Sequence, residues 1–135
     1  MNKVKNRRGE GYVDMCVGVI VFVMILVIAI NIFSFITLRV EMDQIADELI
    51  DSATYNGSFG TAFEERNAEL KNQYYDYTVN YSADKYFNSP LKRVQLGNTM
   101  YVTVTVQTDI KGLGVFKIPV TLSVTRSGLS QRYWK

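Results

Sequence analysis

The sequence contains no histidine, and its only cysteine is Cys16. Without histidine, the chain has no His-based catalytic triad, no His proton shuttle and no His-containing zinc site. A single cysteine allows neither a disulfide within the chain nor a cysteine cluster for a metal. The Gly-x-Ser-x-Gly and phosphate-loop patterns are also missing. These absences predict a protein that is not an enzyme and that holds no cofactor and no metal.

An excess of charge of one sign is also lacking. The 15 basic and 13 acidic residues leave a formal net charge of +2, and after position 38 the two kinds are equal in number. A neutral domain offers no electrostatic reason to bind nucleic acid. We expect neither nucleic acid nor a small-molecule substrate as a partner.

The longest feature that is present is an apolar run over residues 15–38, which contains no charged residue. A bilayer core about 30 Å thick is crossed by roughly 20 helical residues, so this run is long enough to span it. A buried core helix is the alternative, but the remaining chain is too small to cover a helix of this length. The run therefore predicts one transmembrane helix.

The residues on either side of the run predict its orientation. Arg39 begins a mainly acidic stretch after the run, whereas the residues before it include four basic ones, Lys3, Lys5, Arg7 and Arg8. Lys and Arg concentrate on the cytoplasmic side, so we expect a cytoplasmic N-terminus and an extracytoplasmic C-terminal domain. No Ala-x-Ala cleavage site follows the run, which predicts that the helix is retained as a single-pass anchor in the cell membrane.

A helical pattern continues beyond the run. Apolar residues recur at helical spacing at Leu38, Met42, Ile45 and Leu49, with acids and Gln between them. This periodicity predicts a helix with one apolar stripe, and Asn56-Gly57 is suited to its end. We therefore expect three segments: a disordered basic leader over residues 1–9, a long helix over 10–56 with its span at 15–38, and a small exported α+β domain over 57–135.

Within the exported domain, Thr61 and Glu64 predict a capping box that opens a short helix ending near Tyr74. A period of two then predicts a strand over residues 75–81, and Val94 and Leu96 suggest the start of another. Two longer alternating runs, 102–106 and 116–124, flank a Gly-rich connection and predict a hairpin. Together these patterns predict an α+β fold in which the helix packs on a small antiparallel sheet of three to four strands.

Two details of this domain are open from the sequence. Pro119 cannot donate a ladder hydrogen bond, which favours an edge position for its strand. Tyrosines are frequent and could form either a partner-binding surface or packing within the domain; they are Tyr74, Tyr75, Tyr77, Tyr81 and Tyr86. The aromatic and basic tail over residues 131–135 either packs back on the domain or contacts a partner.

Asp14 adjoins the apolar run, and a carboxylate at membrane depth is costly unless it is paired. It follows Arg7-Arg8-Gly9 by five residues, and this arrangement resembles the class III signal of type IV pilin-like proteins. With the long helix and its acidic, Gln-containing continuation, it most resembles the TadE-like pseudopilins, or minor pilins, of tight-adherence pilus systems. Two positions depart from that pattern, since Glu is usual at Asp14 and a small or apolar residue is usual at Glu10.

The resemblance implies a role for each part of the motif. Arg7 and Arg8 would supply the leader charge, a prepilin peptidase would cut between Gly9 and Glu10, and Asp14 would pair with the new N-terminal amine of a neighbouring subunit. Gly18 would allow close helix packing. The implied function is pilus or secretion-filament assembly in the membrane, with other pilin-like subunits and assembly platform proteins as partners. The alternative is a bitopic membrane-anchored module whose β-sheet domain binds an extracytoplasmic partner.

Overall fold

The computed structural model describes the backbone of residues 4–112 and 116–135 and the side chains of 9–110 and 117–135. Its elements, in chain order, are helix α1 (Val4–Asn56), helix α2 (Thr61–Gln73) and strands β1 (Thr78–Ala83), β2 (Thr99–Gly112) and β3 (Phe116–Leu129). The fold is α+β, with a long N-terminal helix and a three-stranded antiparallel sheet, as the sequence patterns predict.

The chain divides into two compact units. One contains Met1–Ile36 and Asp109–Ile118, and the other contains Thr37–Thr108 and Pro119–Lys135. The second unit holds most of the sheet and the part of α1 that carries the apolar stripe.

The sheet has the order β1-β2-β3, which places β2 at its centre. β1 pairs antiparallel with β2, from Thr78 opposite Thr105 to Ala83 opposite Met100. β3 is an edge strand and therefore tolerates Pro119, as predicted.

The core of the second unit forms where α1 faces the sheet. The predicted stripe residues Met42, Ile45 and Leu49 have no solvent exposure, and Ala46 and Ala53 beside them are equally buried. The sheet contributes alternate residues of β2 and β3, as a half-buried antiparallel sheet requires; they are Val102, Val104, Leu122 and Val124. The apolar residues that recur with the 3.6-residue period of the helix and those that alternate in the strands thus lie in the same core.

An aromatic cluster lies where α2 meets β1. The ring of Phe59 stacks on that of Tyr81 with centroids 4.6 Å apart, and it meets the edge of Phe63 at 5.3 Å. Phe59 and Phe63 are buried. Offset and edge-to-face pairs of this kind stabilise a fold beyond the area that they bury, so the cluster fastens α2 to the sheet.

Two ion pairs link α1 to β3. Arg126 Nη2 lies 3.2 Å from Asp43 Oδ1, and Arg126 Nε lies 2.8 Å from Asp47 Oδ1 without the alignment of a hydrogen bond. Because these groups are partly exposed, their contribution to stability is small. The two acids are one turn apart on α1, so Arg126 reaches both of them in this register of the helix relative to the strand.

The structure differs from four of the predictions. α1 begins at Val4 and includes residues that we expected to be a disordered leader, because extending an existing helix is far easier than nucleating one. β1 begins at Thr78, three residues later than predicted. Val94 lies in a buried loop, where its N–H donates to the Gly57 carbonyl at 2.8 Å. Gly60 is the N-cap of α2 without a side-chain cap, so the capping box at Thr61 was wrong.

The C-terminal tail packs back on the domain and covers the end of α1. Trp134 Nε1 donates to the Gly57 carbonyl at 3.1 Å, and the Gln131 N–H donates to the Thr54 carbonyl at 2.9 Å. The Trp134 ring lies 4.2 Å from the Arg93 guanidinium and 5.1 Å from that of Arg132. The tail therefore adds hydrogen-bond donors to two carbonyl groups at the end of α1.

Gly57→Ala tests the contact between the C-terminal tail and the end of α1. Gly57 has φ +64°, and a Cβ there would lie 2.6 Å from Arg132 Cβ. Non-glycine residues in this left-handed conformation are strained, so we expect the free energy of unfolding to fall by about 1–3 kcal/mol. Urea unfolding of the detergent-solubilised chain, followed by fluorescence of its single tryptophan, measures this change. Gly60→Ala is the matched control, because its Cβ would only reach ordinary contact with Ser58 Oγ at 3.5 Å.

Candidate membrane span and assembly site

The apolar part of α1 is exposed. Among the described residues, one helical stretch is long and apolar enough to cross a membrane; it lies within Gly9–Asn56, has a mean hydropathy of 3.1, and none of it is buried. Most large apolar side chains along it are exposed, from 45% at Leu26 to 74% at Tyr12, and Val27 and Phe35 are half-buried. The described residues therefore contain one candidate transmembrane helix, which is compatible with a single-pass membrane protein; a signal sequence near the N-terminus meets the same criteria.

Two polar side chains within the span are satisfied by the helix itself. Asn31 Nδ2 donates to the Val27 carbonyl at 2.8 Å, and Ser34 Oγ donates to the Ile30 carbonyl at 3.0 Å. Both bonds reach back four residues and stay inside one helix. Polar groups bonded in this way are compatible with hydrocarbon, where water is absent.

The predicted leader motif lies within α1. Glu10 and Asp14 are four residues apart on one helix face, and they line a shallow concavity of about 410 Å³ together with Gly9 and Val13. The backbone of Arg7 and Arg8 is also helical, but their side chains lie outside the described residues. Asp14 is exposed and, in the described part of the chain, forms no ion pair.

Gly18 lies one turn after Asp14 on the same face. A Cβ built on Gly18 would meet no atom within 4 Å, and the same holds for Gly9 and Gly11. Packing within the chain therefore does not require glycine at these three positions. Their surface is open to the backbone of another helix.

Comparison with known proteins identifies the family. Residues 19–135 match the family described as a domain of unknown function, DUF4320. The chain belongs to this family. No curated protein and no solved structure matches it. The DUF4320 match covers most of the apolar helix and the whole domain beyond it, but it begins after Asp14 and Gly18, so the leader motif lies outside the matched residues.

The tyrosines of the DUF4320 domain contribute mainly to packing. Tyr77 is buried, and its hydroxyl donates to the Asn67 carbonyl at 3.2 Å. Tyr75 meets Tyr77 edge-on with centroids 6.4 Å apart, and Tyr81 stacks on Phe59. The sequence left open whether the tyrosines bind a partner or pack within the domain, and these three rings pack within the domain.

A polar groove of about 690 Å³ lies between α2, the start of β1 and the middle of β2. Lys71 and Asp76 form an ion pair of 3.4 Å on its wall, and Asn67 Oδ1 is buried without a hydrogen-bond partner among the described residues. The other lining residues include Thr78, Asn80, Thr105 and Gln107. These residues are distant in sequence, and no local pattern predicts that they meet.

Burial makes the alkaline stability of the domain sensitive to its tyrosines. Desolvation raises the pKa of Tyr77 to about 12 and that of Tyr75 to about 12, from an ordinary value of 10.0. Because the pKa of each tyrosine is higher in the folded than in the unfolded state, its contribution to the stability of the fold is complete below pH 10. This contribution is lost as the pH rises towards 12.

Tyr77→Phe is therefore expected to reduce the loss of stability between pH 10 and 12, because the variant lacks one of these titrating groups. At neutral pH it should lower the free energy of unfolding by about 1 kcal/mol through the lost hydrogen bond. Urea unfolding as a function of pH measures both effects. Tyr133→Phe, at a position 64% exposed, is the control; an equal change in both variants would contradict the role of burial.

Proposed function

We propose that this DUF4320 chain is a pseudopilin-like membrane protein that takes part in the assembly of a pilus or secretion filament. It acts without catalysis, by packing its apolar helix against the helices of pilin-like subunits and assembly platform proteins. The observation that carries the proposal is the open helix surface around Asp14 and Gly18, which no other described part of the chain covers.

The chemistry of this surface suits helix association in a bilayer. Lipid tails are as apolar as Val or Ile, so apolar side chains alone do not hold two membrane helices together. Close backbone approach at small residues and paired polar groups supply the specificity. Gly18 allows close approach of another backbone. Asp14, which is exposed at the start of the span, offers a polar group that can be paired.

The proposed topology follows from the charges around the span. The Lys and Arg residues before it favour a cytoplasmic N-terminus, which puts the part of the chain that follows the span outside the cytoplasm. The cytoplasmic position would bring Gly9 and Glu10 to the side where a prepilin peptidase acts. Since both residues lie in α1, cleavage between them requires local unwinding of its first turns.

A pairing role for Asp14 also accounts for its position. A carboxylate beside two dozen apolar residues is stabilised by a cation, and the amine created at Glu10 of a neighbouring subunit would be one. Asp14 has no ion pair within the described residues, so its carboxylate is available for such a contact.

A membrane-anchored binding module is the second candidate function, and the polar groove favours it. The groove presents a lysine, an aspartate and several amide and hydroxyl side chains to solvent. In this alternative the helix is only a tether, and changes at Asp14 would leave partner binding unaffected.

Asp14→Ala distinguishes the two functions. We expect the variant to insert into membranes normally but to co-purify less with other pilin-like subunits from detergent extracts, since its pairing carboxylate is missing. Asp14→Glu, which keeps the charge, should restore co-purification. Undiminished association of Asp14→Ala would contradict the assembly proposal and favour the tethered module.

A further inference from the structure

The polar groove between α2 and the sheet contains main-chain groups that no strand pairs. The Asp84 N–H donates to the Thr99 carbonyl at 3.1 Å. In the register of β1 and β2, this bond means that Thr99 and every second residue after it direct their N–H and C=O groups towards β1. The last of these residues with a partner is Thr105, opposite Thr78. Gln107 points its N–H and C=O to the same side, and among the described residues no backbone hydrogen bond joins it to the chain before β1.

The chain leaves the edge of β2 just before β1 begins. Tyr77 is held to α2, because its hydroxyl donates to the Asn67 carbonyl at 3.2 Å. β1 pairs with β2 only from Thr78 onwards. The edge of β2 is therefore open to the groove at Gln107, which is one of the residues that line it.

The walls of the groove present a cation and an acceptor whose own partners are weak or missing. Lys71 Nζ lies 3.4 Å from Asp76 Oδ1, but the Asp76 side chain is 94% exposed. An ion pair as exposed as this one is weak, so the carboxylate of a ligand can replace Asp76 at Lys71. Asn67 Oδ1 is buried and has no hydrogen-bond partner among the described residues. A buried acceptor without a donor is costly, so an N–H group from a ligand would stabilise it.

These groups together match the end of an extended polypeptide. A peptide in strand conformation presents N–H and C=O groups that pair with an open sheet edge such as that at Gln107. β1 already occupies the edge up to Thr105, so a strand added beyond it must end where β1 begins. Lys71, at 38% exposure, is the more enclosed of the two charged groups, which favours a terminal carboxylate over a terminal amine.

We propose that this groove binds the carboxyl-terminal segment of an extended peptide. The peptide backbone pairs with β2 at Gln107, its carboxylate pairs with Lys71, and one of its N–H groups donates to Asn67 Oδ1. This inference deepens the second candidate function, the binding module, by naming its class of partner, and it rests on that function and not on filament assembly.

Titration of the full chain in detergent micelles with defined peptide pools tests the site. The first pool contains N-acetylated hexapeptides of random sequence with a free carboxyl terminus. The second pool differs only in an amidated carboxyl terminus, and the third has a free amino terminus and an amidated carboxyl terminus. In the ¹⁵N-labelled protein, the backbone amide of Gln107 and the side-chain amide of Asn67 report on the groove. The backbone amide of Ser127, an exposed residue of β3, reports on non-specific binding.

Two variants isolate the contribution of the lysine. Lys71→Met removes the ammonium group but keeps an apolar stem. Lys85→Met is the matched control, because Lys85 is an exposed lysine that does not line the groove.

We expect the first pool to shift the Gln107 and Asn67 signals and to leave Ser127 unchanged. The second pool should bind roughly three- to five-fold more weakly, which is the change expected for the loss of one partly exposed ion pair. Lys71→Met should weaken the first pool by the same factor without affecting the second, whereas Lys85→Met should bind both pools as the unchanged protein does.

Three results would overturn the proposal. The absence of shifts at Gln107 and Asn67 would exclude the site, and equal binding of the first two pools would exclude a role for the carboxylate. Tighter binding of the third pool would assign the groove to an amino terminus instead. Asp14→Ala should bind the first pool normally, so a failure of subunit association and a failure of peptide binding are distinguishable.

Discussion

The structure depends on one uninterrupted helix that provides two different surfaces. α1 satisfies its own backbone hydrogen bonds along its length, which is the condition for crossing a bilayer. Before Arg39 its apolar residues occur on all sides and most of them are exposed, whereas from Met42 they narrow to a stripe that the sheet buries. The change from an all-round apolar surface to a stripe is typical of a helix that passes from lipid to a protein environment.

The domain beyond the span is held together by contacts between distant parts of the chain. Arg126 links β3 to Asp43 and Asp47, and Trp134 closes the end of α1 at Gly57. Each contact joins a late part of the chain to the helix. The helix therefore organises the domain as well as providing the candidate anchor.

Long periodic features were predictable from the sequence, whereas boundaries set by tertiary contacts were not. The stripe from Met42 to Leu49, the helix end at Gly57 and the edge position of Pro119 follow from spacing and backbone chemistry. The loop position of Val94 depends on its bond to the Gly57 carbonyl, which no local pattern reveals. The polar groove was unpredictable for the same reason, because its walls come from three separate elements.

The site at the start of the span combines what the sequence and the structure each contribute. Sequence spacing identifies Gly9, Glu10 and Asp14, and the structure adds that Asp14 and the surface at Gly18 are open. The family match begins at residue 19, so the proposed processing of this chain rests on its own leader residues. The proposed role in an assembly rests on this open helix surface.

The N-terminal residue of the membrane-extracted protein shows whether a prepilin peptidase processes the chain. Intact mass and N-terminal peptide sequencing would be compared between cells with and without a prepilin peptidase. We expect a mature chain that begins at Glu10 only when the peptidase is present. A chain that keeps residues 1–9 in both kinds of cell would contradict the pseudopilin-like function.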